Sequence, residues 1–93
     1  MKVRQFHVKN QFIISTPEGE YFQSYNSIIA FKSKFKIYPW GENKKYEPIV
    51  KLDEKYWDYS KTTGKYRNLY LGENKKTTQK KIDSGEYELV NLN

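Results

Sequence analysis

Alternation of apolar and polar side chains dominates the first third of the chain and predicts strands. Residues 11–16 form one such run, with Phe12 and Ile14 on one face and Phe6 and Val8 on the same parity further back. Lys9-Asn10 interrupts the run as a turn or bulge, because Asn tolerates a left-handed φ. Pro17-Glu18-Gly19 reads as a hairpin turn: Pro presets φ for the first turn position and Gly supplies the left-handed residue that closes it. The partner strand covers residues 20–25, and the chain continues through the apolar run 27–31. Phe35 and Ile37 alternate with Lys34 and Lys36, which predicts a half-buried strand with a basic outer face. Residues 38–48 contain two prolines and a glycine and show no period, so they read as a loop before a short strand over 49–52.

The pattern changes at Asp53. Tyr56-Trp57-Asp58-Tyr59 reads either as a last strand or as a turn. Ser60 has the chemistry of an N-cap, since its hydroxyl can accept from the free N–H groups of a following turn. Tyr66, Leu69 and Tyr70 have the spacing of one helix face, and Gly72 stands where a C′ glycine ends a helix. Gly64 falls inside that helix at a cost of about 1 kcal/mol relative to Ala. A second short helix is predicted over 75–83, opened by Asn74 or Thr77 and closed by Ser84-Gly85, with Ile82 its only strong apolar anchor. Residues 86–92 alternate again and predict a closing strand. Strands, then helices, then a strand argue for an α+β fold. The expectation is a small antiparallel sheet of four to five strands, covered on one face by the helix after Ser60. Its core would hold Phe12, Ile14, Phe22, Ile29, Tyr66 and Leu69.

The chain's 93 residues fit one domain, 1–93, with room for one compact core. Nine Tyr, five Phe and two Trp make that core efficient, because each aromatic ring buries a large area. There is no cysteine, which excludes disulfides, thiolate metal sites and thiol nucleophiles and points to a reducing cytoplasm. Neither a signal-like nor a membrane-spanning apolar run is present in the sequence. The net charge of +6 is unevenly placed. Residues 10–31 contain no Lys or Arg, whereas residues 32–81 hold fourteen basic residues against six acidic ones. A concentrated basic region is the electrostatic footprint of a polyanionic partner, and equally what lysines coating exposed faces produce.

Catalysis is poorly supported. His7 is the only histidine and falls in a strand pattern, the Glu18/Glu20 and Glu86/Glu88 pairs look like solvated edges, and no acidic cluster suits a metal. Thr62-Thr63-Gly64-Lys65 lacks the spaced first glycine of a phosphate loop. The expectation is a protein that is not an enzyme and that carries no cofactor and no metal. Binding has better candidates. Residues 55–68 interleave aromatics with cations: rings can stack on bases or on a partner's side chains, while Lys and Arg take phosphates or carboxylates. Lys61, Lys65, Arg67 and Asn68 are the candidate contacts there, with Lys61, Lys65 and Asn68 on the face away from Tyr66 and Leu69. Trp57, Tyr59, Tyr66 and Tyr70 read as well as core under the helix, capped by Asp58 and Ser60. Trp40, on the 38–48 loop beside Lys44 and Lys45, reads either as an interface anchor or as a lid over the sheet.

Residues 21–30, Leu52-Asp53, 56–72 and 84–87 together resemble a group of small uncharacterised proteins carried by phages and other mobile elements of Gram-positive bacteria. The most specific part is Trp57-Asp58-Tyr59-Ser60 followed by Thr62-Thr63, with Tyr70-Leu71-Gly72 further on. The resemblance covers nearly the whole chain and implies origin rather than mechanism. The chain departs from the group in the 38–48 loop, where a shorter connection is expected. Small basic proteins of such elements fall into two classes. The expected function is a non-catalytic binding protein that inhibits a host nucleoprotein defence complex such as a CRISPR effector. The alternative is direct binding of DNA or RNA through residues 32–81. Both classes exclude a membrane or a small-molecule substrate as partner.

Overall fold

The structure, a computed structural model, is described for residues 2–33 and 49–93. Its elements in chain order are β1 (Lys2–Gln5), β2 (Gln11–Ser15), β3 (Gly19–Ser24), β4 (Ser27–Ser33), β5 (Val50–Asp53), α1 (Lys61–Leu71), α2 (Lys75–Asp83) and β6 (Glu88–Val90). Among the described residues six strands form one sheet in chain order, one strand more than the upper expectation. The first five pair antiparallel, and β6 joins the edge parallel to β5 after the two helices. The fold is α+β, as the order of patterns predicts. The expected strand at Phe35–Ile37 and the 38–48 loop, with Trp40, Lys44 and Lys45, lie outside the described residues.

The cross-strand row Ile13, Phe22, Ala30, Leu52 sets the core face, each residue facing the next across a strand pair. All four are buried, and Tyr66 and Tyr70 of α1 lie on them. The Phe22 and Tyr70 rings stack at 5.3 Å, an offset arrangement that aromatic quadrupoles favour. β2 therefore points Gln11 and Ile13 inward, and Phe12 and Ile14 stand half-buried on the other face. This reverses the expected parity. Phe12, Ile13 and Ile14 are all apolar, so alternation within β2 does not choose a face; pairing of Ile13 with Phe22 does. In β4 a bulge opposite Phe22/Gln23 places Ile29 and Ala30 in the core side by side.

Three turns set the strand order. His7 and Asn10 adopt left-handed backbone (φ 63° and 70°) in the β1–β2 turn, so His7 is an exposed turn residue rather than a strand residue. Tyr25 (φ 55°) makes the tight β3–β4 turn, where the Gln23 side chain donates to its carbonyl at 2.7 Å. At the β2–β3 turn Gly19 is not the left-handed closer that was expected. It opens β3, where a Cβ would stand 2.2 Å from the Lys32 carbonyl oxygen, so the glycine serves close strand approach.

The helix ends follow the expected caps. The Ser60 hydroxyl accepts from Thr63 N–H at 3.1 Å, and Gly72 (φ 70°) donates to the Asn68 carbonyl. Asn74 caps α2 by accepting from Thr77 N–H at 2.8 Å. Residues 56–59 form turns, not a strand. The last turn of α1 carries no basic residue, and Lys32 of β4 takes that role, donating to the Tyr70 carbonyl at 2.8 Å.

Asp53 joins the sheet to the C-terminal segment. Its carboxylate accepts from the N–H groups of Lys55 (3.0 Å), Tyr56 (2.8 Å) and Leu92 (2.8 Å) and from the Asn93 amide (2.9 Å). Asn93 in turn pairs with both backbone groups of Ile28. Burial favours the neutral acid, but these donors outweigh it and hold the Asp53 pKa below the ordinary aspartate value. Its stabilising contribution is therefore present above the unfolded carboxylate pKa of about 3.9 and is lost as pH falls through the lower folded value. Asp53→Ala should lose about 3 kcal/mol in urea unfolding at pH 7, because several donors lose a charged acceptor. That deficit should shrink below about pH 4, as the wild-type carboxylate is protonated. A deficit that stays constant from neutral to strongly acid pH would contradict the assignment.

Candidate functional site

α1 divides into two faces. Thr63, Tyr66, Arg67 and Tyr70 follow the spacing of one helical stripe and are buried. Leu69, expected in the core, stands 51% exposed on the other side. The reason is Arg67, which takes the inward place and is 1% exposed. One guanidinium nitrogen donates to the Trp57 carbonyl at 2.6 Å and to Asp58 at 3.3 Å; the other donates to the Asn68 side-chain oxygen at 3.0 Å. The guanidinium also lies 5.1 Å from the Trp57 ring centre, in cation–π range. Arg67 thus clamps the 56–59 turn to the helix. Asn68 supports it and accepts at its backbone carbonyl from both Gly72 and Glu73. Neither residue lies free beside Lys61 and Lys65.

Asp58 is shared. Lys75, at the start of α2, reaches it at 2.7 Å from the side opposite Arg67. Burial would raise the Asp58 pKa, but Lys75 and Arg67 outweigh it and hold the carboxyl below its ordinary value. The residues carrying the most specific part of the resemblance thus have structural work: Trp57 and Asp58 receive Arg67, Ser60 caps α1, and Thr63 reaches Ser24 of β3 at 3.1 Å.

Between the first turns of α1 and the α1–α2 corner lies an open groove of about 820 Å³. It is lined by Asp58, Ser60, Lys61, Gly64, Lys65, Arg67, Asn68, Leu69, Glu73 and Lys75. Glu73 is also the centre of a small polar cluster: it accepts from the Tyr87 hydroxyl and pairs with Lys81 at 3.4 Å. Burial and this carboxylate push the Tyr87 pKa up to about 12, so Tyr87 holds its proton and remains a donor at neutral pH. Asp58 is engaged by Arg67 and Lys75 and one Glu73 oxygen by Tyr87 and Lys81, while Glu73 Oε2 is buried without a partner among the described residues; Lys61 and Lys65 have no ion-pair partner among them. The first turn of α1 carries no acidic residue. The positive end of the helix is met by the Ser60 hydroxyl on Thr63 N–H and by the Asp58 carboxylate, whose Oδ1 lies 3.9 Å from where a Gly64 Cβ would stand.

The structure brings Lys61 and Lys65 to one groove and places Arg67 and Asn68 beneath it. The aromatics split: Tyr66 and Tyr70 are core, Tyr56 and Trp57 are half-buried against it, and Tyr59 is 69% exposed. Sequence reasoning did not find Lys75 or Leu69 as parts of this surface. The basic run 75–81 gave the signal for Lys75, but its position beside Asp58 depends on the α1–α2 corner. Among the described residues no group of three or more metal-ligating side chains gathers, and no helix is long and apolar enough to cross a membrane.

A family model described as "Family of unknown function (DUF8033)" matches residues 1–86. The chain belongs to this family. No curated protein and no solved structure matches it. In this DUF8033 chain the groove and its clamp lie wholly within the matched residues.

The division of α1 has a direct consequence. Arg67→Met keeps the apolar stem but strands the Trp57 carbonyl and Asp58, and should cost about 2–3 kcal/mol in thermal unfolding. Lys65→Met, at an exposed position, should stay within about 0.5 kcal/mol of wild type. Equal effects of the two substitutions would contradict the placement of Arg67.

Proposed function

We propose that the chain is a non-catalytic binding domain that holds DNA or RNA through the cationic face of α1 and the α1–α2 corner. The observation that carries this reading is the groove at the positive end of α1, where Lys61 and Lys65 have no acidic partner among the described residues. Unpaired lysines beside a helix N-terminus suit a phosphate chain, and the half-exposed Leu69 offers an apolar contact for a sugar or base. The charge distribution supports the same reading, since residues 32–81 hold fourteen basic residues against six acidic ones while the rest of the chain is net acidic. Lys76 and Lys80 extend the cationic surface along exposed α2. The cysteine-free sequence fits action in a reducing bacterial cytoplasm.

The other role implied by the resemblance, inhibition of a host nucleoprotein complex such as a CRISPR effector, would use the same face if the protein grips the complex's own RNA or DNA. Its second contact, through Trp40, Lys44 and Lys45, falls outside the described residues.

Fluorescence anisotropy with labelled single-stranded and duplex oligonucleotides, repeated across salt concentrations, tests the reading. Affinity should fall with salt at a log–log slope near −0.9 per contacted phosphate on duplex DNA, or about −0.7 on single strands. Reversing charge in a Lys61→Glu, Lys65→Glu double variant should flatten that slope by about 1.4 to 1.8 while leaving the thermal midpoint near wild type. Affinity confined to the non-specific range of about 10⁻⁴ to 10⁻⁶ M for every oligonucleotide at physiological salt would overturn it. So would a slope that the double variant leaves unchanged.

A further inference from the structure

The sheet has two edge strands, β1 and β6, and among the described residues no strand pairs with the outer side of either. Every residue of β1 is exposed, and Val3 stands 58% open. At the other end Leu89 shares a row with the buried Leu52 yet is 39% exposed, so the helical layer leaves β6 partly uncovered. An edge strand presents unpaired backbone N–H and C=O groups and is a template for a further strand. The two edges also differ in charge: β1 reads Lys-Val-Arg-Gln with no acid, whereas β6 opens on Glu88. Neither Arg4 nor Glu88 has an ion-pair partner among the described residues.

Backbone direction fixes which groups each edge offers. Phe6 N–H donates to the Gln11 carbonyl, so alternation along the antiparallel pair turns the backbone groups of Arg4 toward β2 and those of Val3 outward. Glu54 N–H donates to the Val90 carbonyl, so in the parallel β5–β6 pair the groups of Glu88 and Val90 face β5 and those of Leu89 face outward. Side chains add a second rule. Arg4 pairs with Ile13 and Leu89 with Leu52, which places both on the helix side of the sheet. Val3 pairs with Ile14 and Glu88 with Lys51, which places both on the far side. Antiparallel union of β1 with β6 of a second copy that is turned over satisfies both rules. Val3 then exchanges both backbone hydrogen bonds with Leu89 of the second copy, and their side chains share one face. Arg4 falls opposite Glu88 on the other face, in the position without ladder bonds where side chains approach most closely. By contrast, β1 against a second β1 centred on Val3 sets Lys2 opposite Arg4, and directly opposed like charges disfavour that dimer.

We infer that the chain self-associates head to tail: the basic edge β1 of one copy adds to the acidic edge β6 of the next, and successive copies are turned over. The contact is heterologous. A half-turn combined with a shift across the sheet does not close on itself, so an assembly of any length keeps one free β1 and one free β6. Both edges lie outside the groove between α1 and α2, so the inference is independent of the nucleic-acid reading.

Sedimentation velocity of the full chain at low salt, followed from micromolar to millimolar concentration, tests it. Wild type should form dimers, trimers and longer species as concentration rises. Arg4→Glu and Glu88→Arg should each weaken association about tenfold or more, because like charges then face one another across the contact. An equimolar mixture of the two variants should associate as wild type does, since the reversed β1 of one matches the reversed β6 of the other. Val3→Pro removes an outward N–H and leaves the β1–β2 ladder intact, so it should also block association while the thermal midpoint stays near wild type. A wild type that stays monomeric at millimolar concentration overturns the inference, and so does association that stops at a dimer. Association that survives Val3→Pro or both charge reversals lies elsewhere on the protein and overturns it too. A mixture that fails to regain what the single charge variants lose overturns the pairing of Arg4 with Glu88.

Discussion

Burial of the Arg67 guanidinium is the constraint around which the helical half of this protein is arranged. A buried charge must find hydrogen-bonding partners, and those partners dictate local structure. The Trp57 carbonyl and the Asp58 carboxylate meet Arg67 only if residues 56–59 turn rather than extend, and only if α1 begins at Ser60. Asp58 then draws Lys75 and with it the start of α2. One inward-facing arginine thus sets the turn before α1, the rotation of α1 about its axis and the corner to α2. It also turns Leu69 outward and leaves Lys61 and Lys65 on the open side.

The sheet answers to a different rule. Its core face is the row Ile13, Phe22, Ala30, Leu52, and helix α1 is fastened to it by the stacked Phe22–Tyr70 rings and by Lys32 at the helix C-terminus. Asp53 and Asn93 then tie β5, the turn after it and the C-terminal segment to β4. Apolar contacts make the sheet-to-helix layer, and charged groups bonded to backbone fix its ends. Of the α1 cations only Lys61 and Lys65 take no part in these ties among the described residues.

The features legible in the sequence were those with a local physical cause. Ser60, Gly72, Asn74 and Asn10 each act within a few residues of themselves, so their caps and turns could be read directly. Features decided across the sheet could not. The parity of β2 depends on Ile13 pairing with Phe22, because both faces of that strand are apolar, and the β4 bulge depends on the strand opposite. Gly19 is glycine because of Lys32, thirteen residues away, and not because of its own φ. In the candidate site the same line divides the residues. Lys61 and Lys65 were legible as an exposed basic pair, whereas the inward placement of Arg67 needed the Trp57 carbonyl, which no residue type advertises.

The central claim is that a nucleic-acid strand lies along the cationic face of α1, over Lys61 and Lys65. Nitrogen-15 NMR of the backbone amides during titration with a short oligonucleotide observes that face directly. The account predicts that the amides of Lys61, Thr62 and Lys65 shift. Val3, Ile14 and Tyr21, on the far face of the sheet, should stay unmoved. Shifts concentrated on that far face, with those α1 amides unchanged at saturation, would contradict it.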